Sequence, residues 1–126
     1  MDVKIDTKEK FYEVQLLEPH LTANMTADLN DLLSELQNTP PKNVVLNLKD
    51  VNKIDPEAAV MLAKCQGEYY DNSHSFVMCQ LSGTVETALD EMGVLEVLNI
   101  TPTLSEAWDI VQMEEIEREL LDGLED

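Results

Sequence analysis

The residues that could do chemistry in this chain are two histidines, two cysteines and 26 carboxylates, set against only eight lysines and arginines. His20 follows Pro19 and His74 falls in a turn, far apart and without a neighbouring serine or cysteine nucleophile in any recognisable arrangement, so neither reads as catalytic. Cys65 and Cys79 form no CxxC pair and no zinc-spaced cluster. One lies in a helical pattern and the other in a strand pattern, and both read as small buried hydrophobes suited to a reducing cytoplasm. The carboxylates are too many for chance pairs to mean much. Asp90-Glu91 and Glu114-Glu115 are adjacent on helical segments, where neighbours point in different directions, and no acidic set has the spacing of a calcium loop. The four glycines are scattered, which leaves no phosphate-cradling loop. One acidic constellation has a definite local meaning. In Asp55-Pro56-Glu57, Asp55 suits a helix N-cap, Pro56 the first helical position, and Glu57 the positive end of the helix dipole.

The elements that must hold these groups follow from periodicity. Val3–Ile5 and the alternating run Phe11–Leu17 predict an N-terminal hairpin across the polar turn Lys8-Glu9-Lys10. Pro19 ends the second strand, and Thr22 or Asn24 can cap a helix whose inner face is Leu29, Leu32, Leu33 and Leu36. Thr39-Pro40-Pro41 stops it. Val44–Leu48 and Phe76–Cys79 are nearly continuous apolar runs, as in strands buried on both faces. Between them, residues 49–54 read as a loop and Pro56–Gln66 as a helix that Gly67 bends or ends. Ser82 or Thr84 caps a third helix with Val85, Leu89 and Met92 inward and Gly93 at its C-terminus. A last strand is expected within Leu95–Ile100, and a long helix from Leu104. Strands alternating with helices predict an α/β domain: a mixed, mostly parallel sheet with helical cover.

With 126 residues and 44% hydrophobic side chains, the chain can bury a mostly aliphatic core without a disulfide or metal. The N-terminus has no apolar segment of the signal-peptide kind, and the longest apolar run, Ala58–Ala63, is far short of the roughly 20 residues of a membrane span. The expectation is a cytoplasmic protein with no direct membrane insertion.

The net charge of −18 is uneven: residues 1–64 carry −4 and residues 65–126 carry −14. Such a surface repels nucleic acid and anionic lipid, so a partner met through charge should be basic or neutral. Residues 1–112 read as the domain, and 113–126 as an acidic extension with Ile116, Leu120 and Leu124 at helical spacing. That stripe packs on its own domain, or else docks a partner or a second copy in a homodimer.

From Val44 to Val111 the chain resembles a STAS domain, the sulfate transporter and anti-sigma factor antagonist family. The resemblance is carried by Asn43–Val51, Ile54-Asp55, the helix Pro56–Gln66, Phe76–Cys79, Val85–Met92 with Gly93-Val94-Leu95, and Pro102–Ala107; Leu21-Thr22-Ala23 fits the family's turn into its first helix. It implies a single STAS-like domain that acts by docking a protein partner, with no catalysis and no cofactor. In anti-sigma factor antagonists the helix start typically reads Asp-Ser-Ser-Gly, and phosphorylation of the second serine breaks the complex. Here those positions read Asp55-Pro56-Glu57-Ala58, and no serine or threonine occurs from Pro40 to Asn72. Glu57 occupies the phosphosite-equivalent position, either as a partial mimic of phosphoserine or simply as a favourable first-turn residue. The partner-binding surface the resemblance implies comprises Asn52, Lys53, Ile54, Asp55, Pro56, Glu57 and Ala58, completed by Ser82, Gly83 and Thr84. The partner is then a kinase-like anti-sigma factor or, if the loop is a fixed docking surface, a membrane lipid transporter to which the chain is an accessory subunit. A phospho-receiver domain, similar in length and alternation, would need a lysine after the last strand, and none follows Lys64.

Overall fold

The computed structural model describes residues 1–125, with side chains through Gly123. The expected hairpin forms. β1 (Val3–Thr7) pairs antiparallel with β2 (Tyr12–Leu16), Val3 facing Leu16 and Thr7 facing Tyr12. After β3 (His20–Leu21) and α1 (Thr26–Leu36) come β4 (Val44–Asn47), β5 (Lys53–Ile54), α2 (Pro56–Asp71), β6 (Phe76–Cys79), α3 (Gly83–Glu91), β7 (Ile100–Thr101) and α4 (Leu104–Glu125). β2, β4, β6 and β7 run parallel, giving a five-stranded mixed sheet in the order β1-β2-β4-β6-β7.

The pleat divides the core in two. Val14, Leu46, Phe76 and Met78 point to the face covered by α1, α2 and α3, where Leu29, Leu33, Leu62, Tyr69, Val85 and Leu89 are all buried. Val45, Val77 and Cys79 point the other way, against Ala107 and Val111 of α4. Both central strands are therefore covered on both faces, which is why their sequences are apolar without alternation. The two thiols are buried as expected, and burial raises each to about 11, which leaves them protonated and inert near neutrality.

Four expectations need correction. Residues 53–54, read as loop, form β5, which pairs parallel with β3 in a separate two-stranded sheet. That pairing buries Leu21 and Ile54, a gain between segments too distant in sequence for periodicity to register. The last strand is only Ile100–Thr101, because Leu95–Val97 coils into a 3-10 turn after the left-handed Gly93 (φ 74°). Neither Thr22 nor Asn24 caps α1 with its side chain; a 3-10 turn, Ala23–Met25, leads into that helix. Gly67 does not end α2, which continues to Asp71. A helical glycine costs about 1 kcal/mol relative to alanine, and burial of Cys65 and Tyr69 on either side offsets it. The Tyr69 hydroxyl donates to the Leu33 carbonyl, joining α2 to α1.

α4 runs unbroken through residue 113. Ile116 and Leu120 are exposed, not packed on the domain; Leu124's side chain and Asp126 lie outside the described residues. Among the described residues no helix is long and apolar enough to cross a membrane.

Candidate functional site

Parallel strands deliver their C-terminal loops to one end of a sheet, where α/β folds commonly bind other molecules. Here that end gathers Pro19–Leu21 after β2, Leu48–Asp55 after β4 and Gln80–Thr84 after β6. Asn47 and Cys79 are register partners at the ends of β4 and β6, and Leu48 donates its backbone N–H to the Cys79 carbonyl at 3.1 Å. α3 packs beside β5, so the two predicted segments, 52–58 and 82–84, sit at the same end of the sheet.

Asp55 is the structural centre of this end. It stands at the N-cap of α2, yet its side chain does not cap that helix. One carboxylate oxygen lies 2.7 Å from His20 Nε2 and the other accepts the Ala23 backbone N–H at 2.9 Å, while the Asp55 N–H donates to the Leu21 carbonyl at 3.0 Å. The Asp55 carbonyl accepts the first helical bond, from Ala59, and also the Ala58 N–H, at 3.1 Å each. A single residue thus fastens β3, the 3-10 turn and α2 together. The His20 hydrogen bond, then the Ala23 N–H, hold the Asp55 carboxyl below its ordinary value of 3.8.

Glu57, two residues on, is exposed in the first turn of α2. Pro56, Asn52, Lys53, Gly83 and Thr84 are also exposed, and Asp55 and Ser82 are half-buried. Ile54 and Ala58 face the core and shape this surface from beneath. Ser82 caps its own helix, its Oγ accepting the Val85 N–H at 3.2 Å. Hollows beside this region are lined by Gly83, Thr84, Thr87, Ala88 and Glu91, and by Leu81, Glu86, Leu95, Leu98, Ile100, Thr101 and Pro102. Neither takes in any residue from 52 to 58. The surface is polar and carries both charge signs, with Lys49, Asp50, Lys53 and Glu57 all exposed.

Three supporting residues escaped the sequence reading. His20, set aside as isolated, is the partner of Asp55. Asn47, lost in an apolar run, is 2% exposed; it donates to Gln80 Oε1 at 2.8 Å and Glu13 Oε2 at 3.3 Å and accepts the Lys49 N–H at 3.0 Å. Gln80 itself adopts a left-handed φ of 58° as the chain leaves β6. Asn47 did carry a signal: an amide inside a strand buried on both faces must find partners. Among the described residues, no histidine, cysteine and carboxylate cluster is arranged to hold a metal ion.

A family model for the STAS domain matches residues 3–107. Solved structures with the same fold include an anti-sigma-factor antagonist (STAS) domain protein from Planctomyces limnophilus, at 16% identity and a TM-score of 0.74 over 89% of this chain and 99% of that one. A serine-to-glutamate variant of RsbS from Moorella thermoacetica aligns at 18% identity and a TM-score of 0.74, covering 94% and 99% of the two chains. The anti-sigma factor antagonist SpoIIAA in its unphosphorylated form aligns at 12% identity and a TM-score of 0.70, covering 88% and 96%. No curated protein sequence matches the chain.

Proposed function

Because the chain belongs to the STAS domain family, whose members are in general non-catalytic regulatory modules, we propose that it is a protein-docking regulator resembling the anti-sigma factor antagonists. Its contact surface centres on Asn52, Lys53, Asp55, Pro56 and Glu57, flanked by Ser82, Gly83 and Thr84, and it works without a serine phospho-switch at this loop. The observation that carries this reading is the division of labour between Asp55 and Glu57. Asp55 is tied to His20 and Ala23 and holds the loop in shape, while Glu57 stands exposed on the first turn of α2 with no ion pair or hydrogen bond among the described residues. A fixed acidic side chain stands where the resemblance places a phospho-acceptor. The partner is accordingly a signalling protein with a basic or neutral contact surface.

A second reading draws support from the lack of any serine or threonine between Pro40 and Asn72. In it the same loop is a permanent docking surface, and the chain is an accessory subunit of a membrane transporter.

The test is capture of partners from the source cell's lysate by wild type, Glu57→Ser and Glu57→Lys side by side, with each melting point measured. A partner held by wild type and lost from Glu57→Lys at unchanged melting point is the expected result. Equal recovery by all three forms would remove this loop from the interface. Loss from Glu57→Ser only after kinase treatment would show that the switch needs nothing but the hydroxyl. A stoichiometric complex indifferent to kinase would favour the accessory-subunit reading.

A further inference from the structure

Away from the loop end, a groove runs between the C-terminal half of α2 and the second half of α4. Two adjoining hollows of about 410 and 470 Å³ form it, and they share Gln66, Tyr70 and Glu114. Its apolar groups stand out of the core: Tyr70 is 81% exposed, Leu121 60% and Val97 58%. Between them sit three carboxylates, Asp71, Glu114 and Glu117. The one arginine in the groove is turned inward. Arg118 donates to Ser75 Oγ at 3.2 Å and to Asn43 Oδ1 at 3.4 Å, so its charge is directed at the sheet end and away from the groove mouth. Gln66 closes the floor by bonding the Phe76 carbonyl at 3.1 Å and the Asn99 N–H at 3.0 Å, which leaves the polar groups beneath the groove paired.

We propose that this groove docks a cationic amphipathic segment of a partner protein, a stretch with Lys or Arg on one face and aliphatic anchors on the other. Apolar side chains of that segment would cover Tyr70, Leu121 and Val97, while its cations meet Asp71, Glu114 and Glu117. Charge decides the occupant. Residues 65–126 carry a net −14, so a second copy of this chain brings the same sign to the same face, and nucleic acid or anionic lipid is repelled as well. An exposed tyrosine flanked by aliphatic side chains is the composition of an interface anchor, and Glu114, Glu117 and Leu121 lie at i, i+3 and i+7 along one strip of α4. The site lies apart from the loop at Glu57 and stands or falls without it.

The test uses the full chain and a fluorescein-labelled Leu/Lys amphipathic peptide of about 18 residues, long enough to be helical, with its Leu/Glu counterpart as the charge control. Backbone chemical-shift mapping is expected to place the Leu/Lys peptide at Gln66, Tyr70, Val97, Glu114 and Leu121. Tyr70→Ser combined with Leu121→Ser should weaken its binding about tenfold, whereas Val60→Ser, an equally exposed apolar position elsewhere on α2, should stay within about twofold. Glu114→Gln with Glu117→Gln should flatten the salt dependence of binding. Shifts spread over the whole acidic surface, or equal losses from Val60→Ser and the groove variants, would reduce the interaction to general charge attraction and overturn the proposal. A dimer in sedimentation that Tyr70→Ser dissolves would make a second copy the occupant and overturn it as well.

Discussion

Two asparagines bracket β4, each 2% exposed, and they hold the two ends of the molecule in different ways. At the entry, Asn43 donates to the Lys10 carbonyl and to Glu115 Oε1 at 2.9 Å each, and accepts the buried Ser75 N–H at 2.8 Å, with Arg118 alongside. At the exit, Asn47 joins Gln80, Glu13 and the Lys49 N–H. The first hub draws on α4 itself, so the acid-rich helix is fixed by polar contacts at Glu115 and Arg118 while Ile116, Leu120 and Leu121 remain exposed. The second hub draws on the neighbouring strand β2 and on loops, with no helix among its partners in the described residues, and the surface above it is polar. Both regions separate a residue that builds from a residue that faces outward: Gln66 and Tyr70 at one end, Asp55 and Glu57 at the other. The lesson is that an amide inside a buried strand is a fixture for what lies outside it, and the partners it recruits decide which helix or loop is held.

Breaking the hubs one at a time tests this contrast. Asn43→Ala should cost about 2–3 kcal/mol in denaturant unfolding, because it strands the buried Ser75 N–H and loosens α4, leaving Glu115 only its ion pair with Lys10 and Arg118 only its bonds to Ser75 Oγ among the described residues. Hydrogen exchange should speed up in the last turns of α4 more than elsewhere. Asn47→Ala should cost less, about 1–2 kcal/mol, since Lys49 is exposed and water can take up what its N–H loses. The reverse order would mean that the loops, not α4, depend most on β4.

A smaller effect, confined to acid, belongs to Asp55. Its folded-state carboxyl sits below the ordinary value of 3.8, so its contribution is fully present above that value and is lost as pH falls through the lowered folded value. The melting-point gap between wild type and Asp55→Asn should shrink as pH drops below about 4. A gap that is flat down to the acid transition would show that the carboxylate charge is immaterial to the loop.

The smallest change is expected from Glu57→Gln, about 0.3–1 kcal/mol from lost interaction with the helix dipole, screened by salt. A stability loss as large as that of Asn47→Ala would make Glu57 part of the framework and undo the division of labour on which the docking surface rests.

Sequence alone was enough for the α/β architecture, the hairpin, the covered strands and the start of α2, because each rests on local periodicity or on backbone rules satisfied within a few residues. The alternation of Phe11–Leu17, the solid runs Val44–Leu48 and Phe76–Cys79, and Pro56 at the first helical position all have their meaning nearby, whereas the Asp55 carboxylate does not cap α2 as its position suggests. The family likeness was legible for the same reason, as an order of such segments. What only the tertiary structure decided lies in pairings across long separations. β3 finds β5, His20 finds Asp55 35 residues away, Asn43 finds Glu115 72 residues away, and Ile116 turns outward. A hydrogen bond or a buried face has no periodicity to announce a distant partner. Its energy depends on where packing brings the two groups, and that position exists only once the sheet has formed.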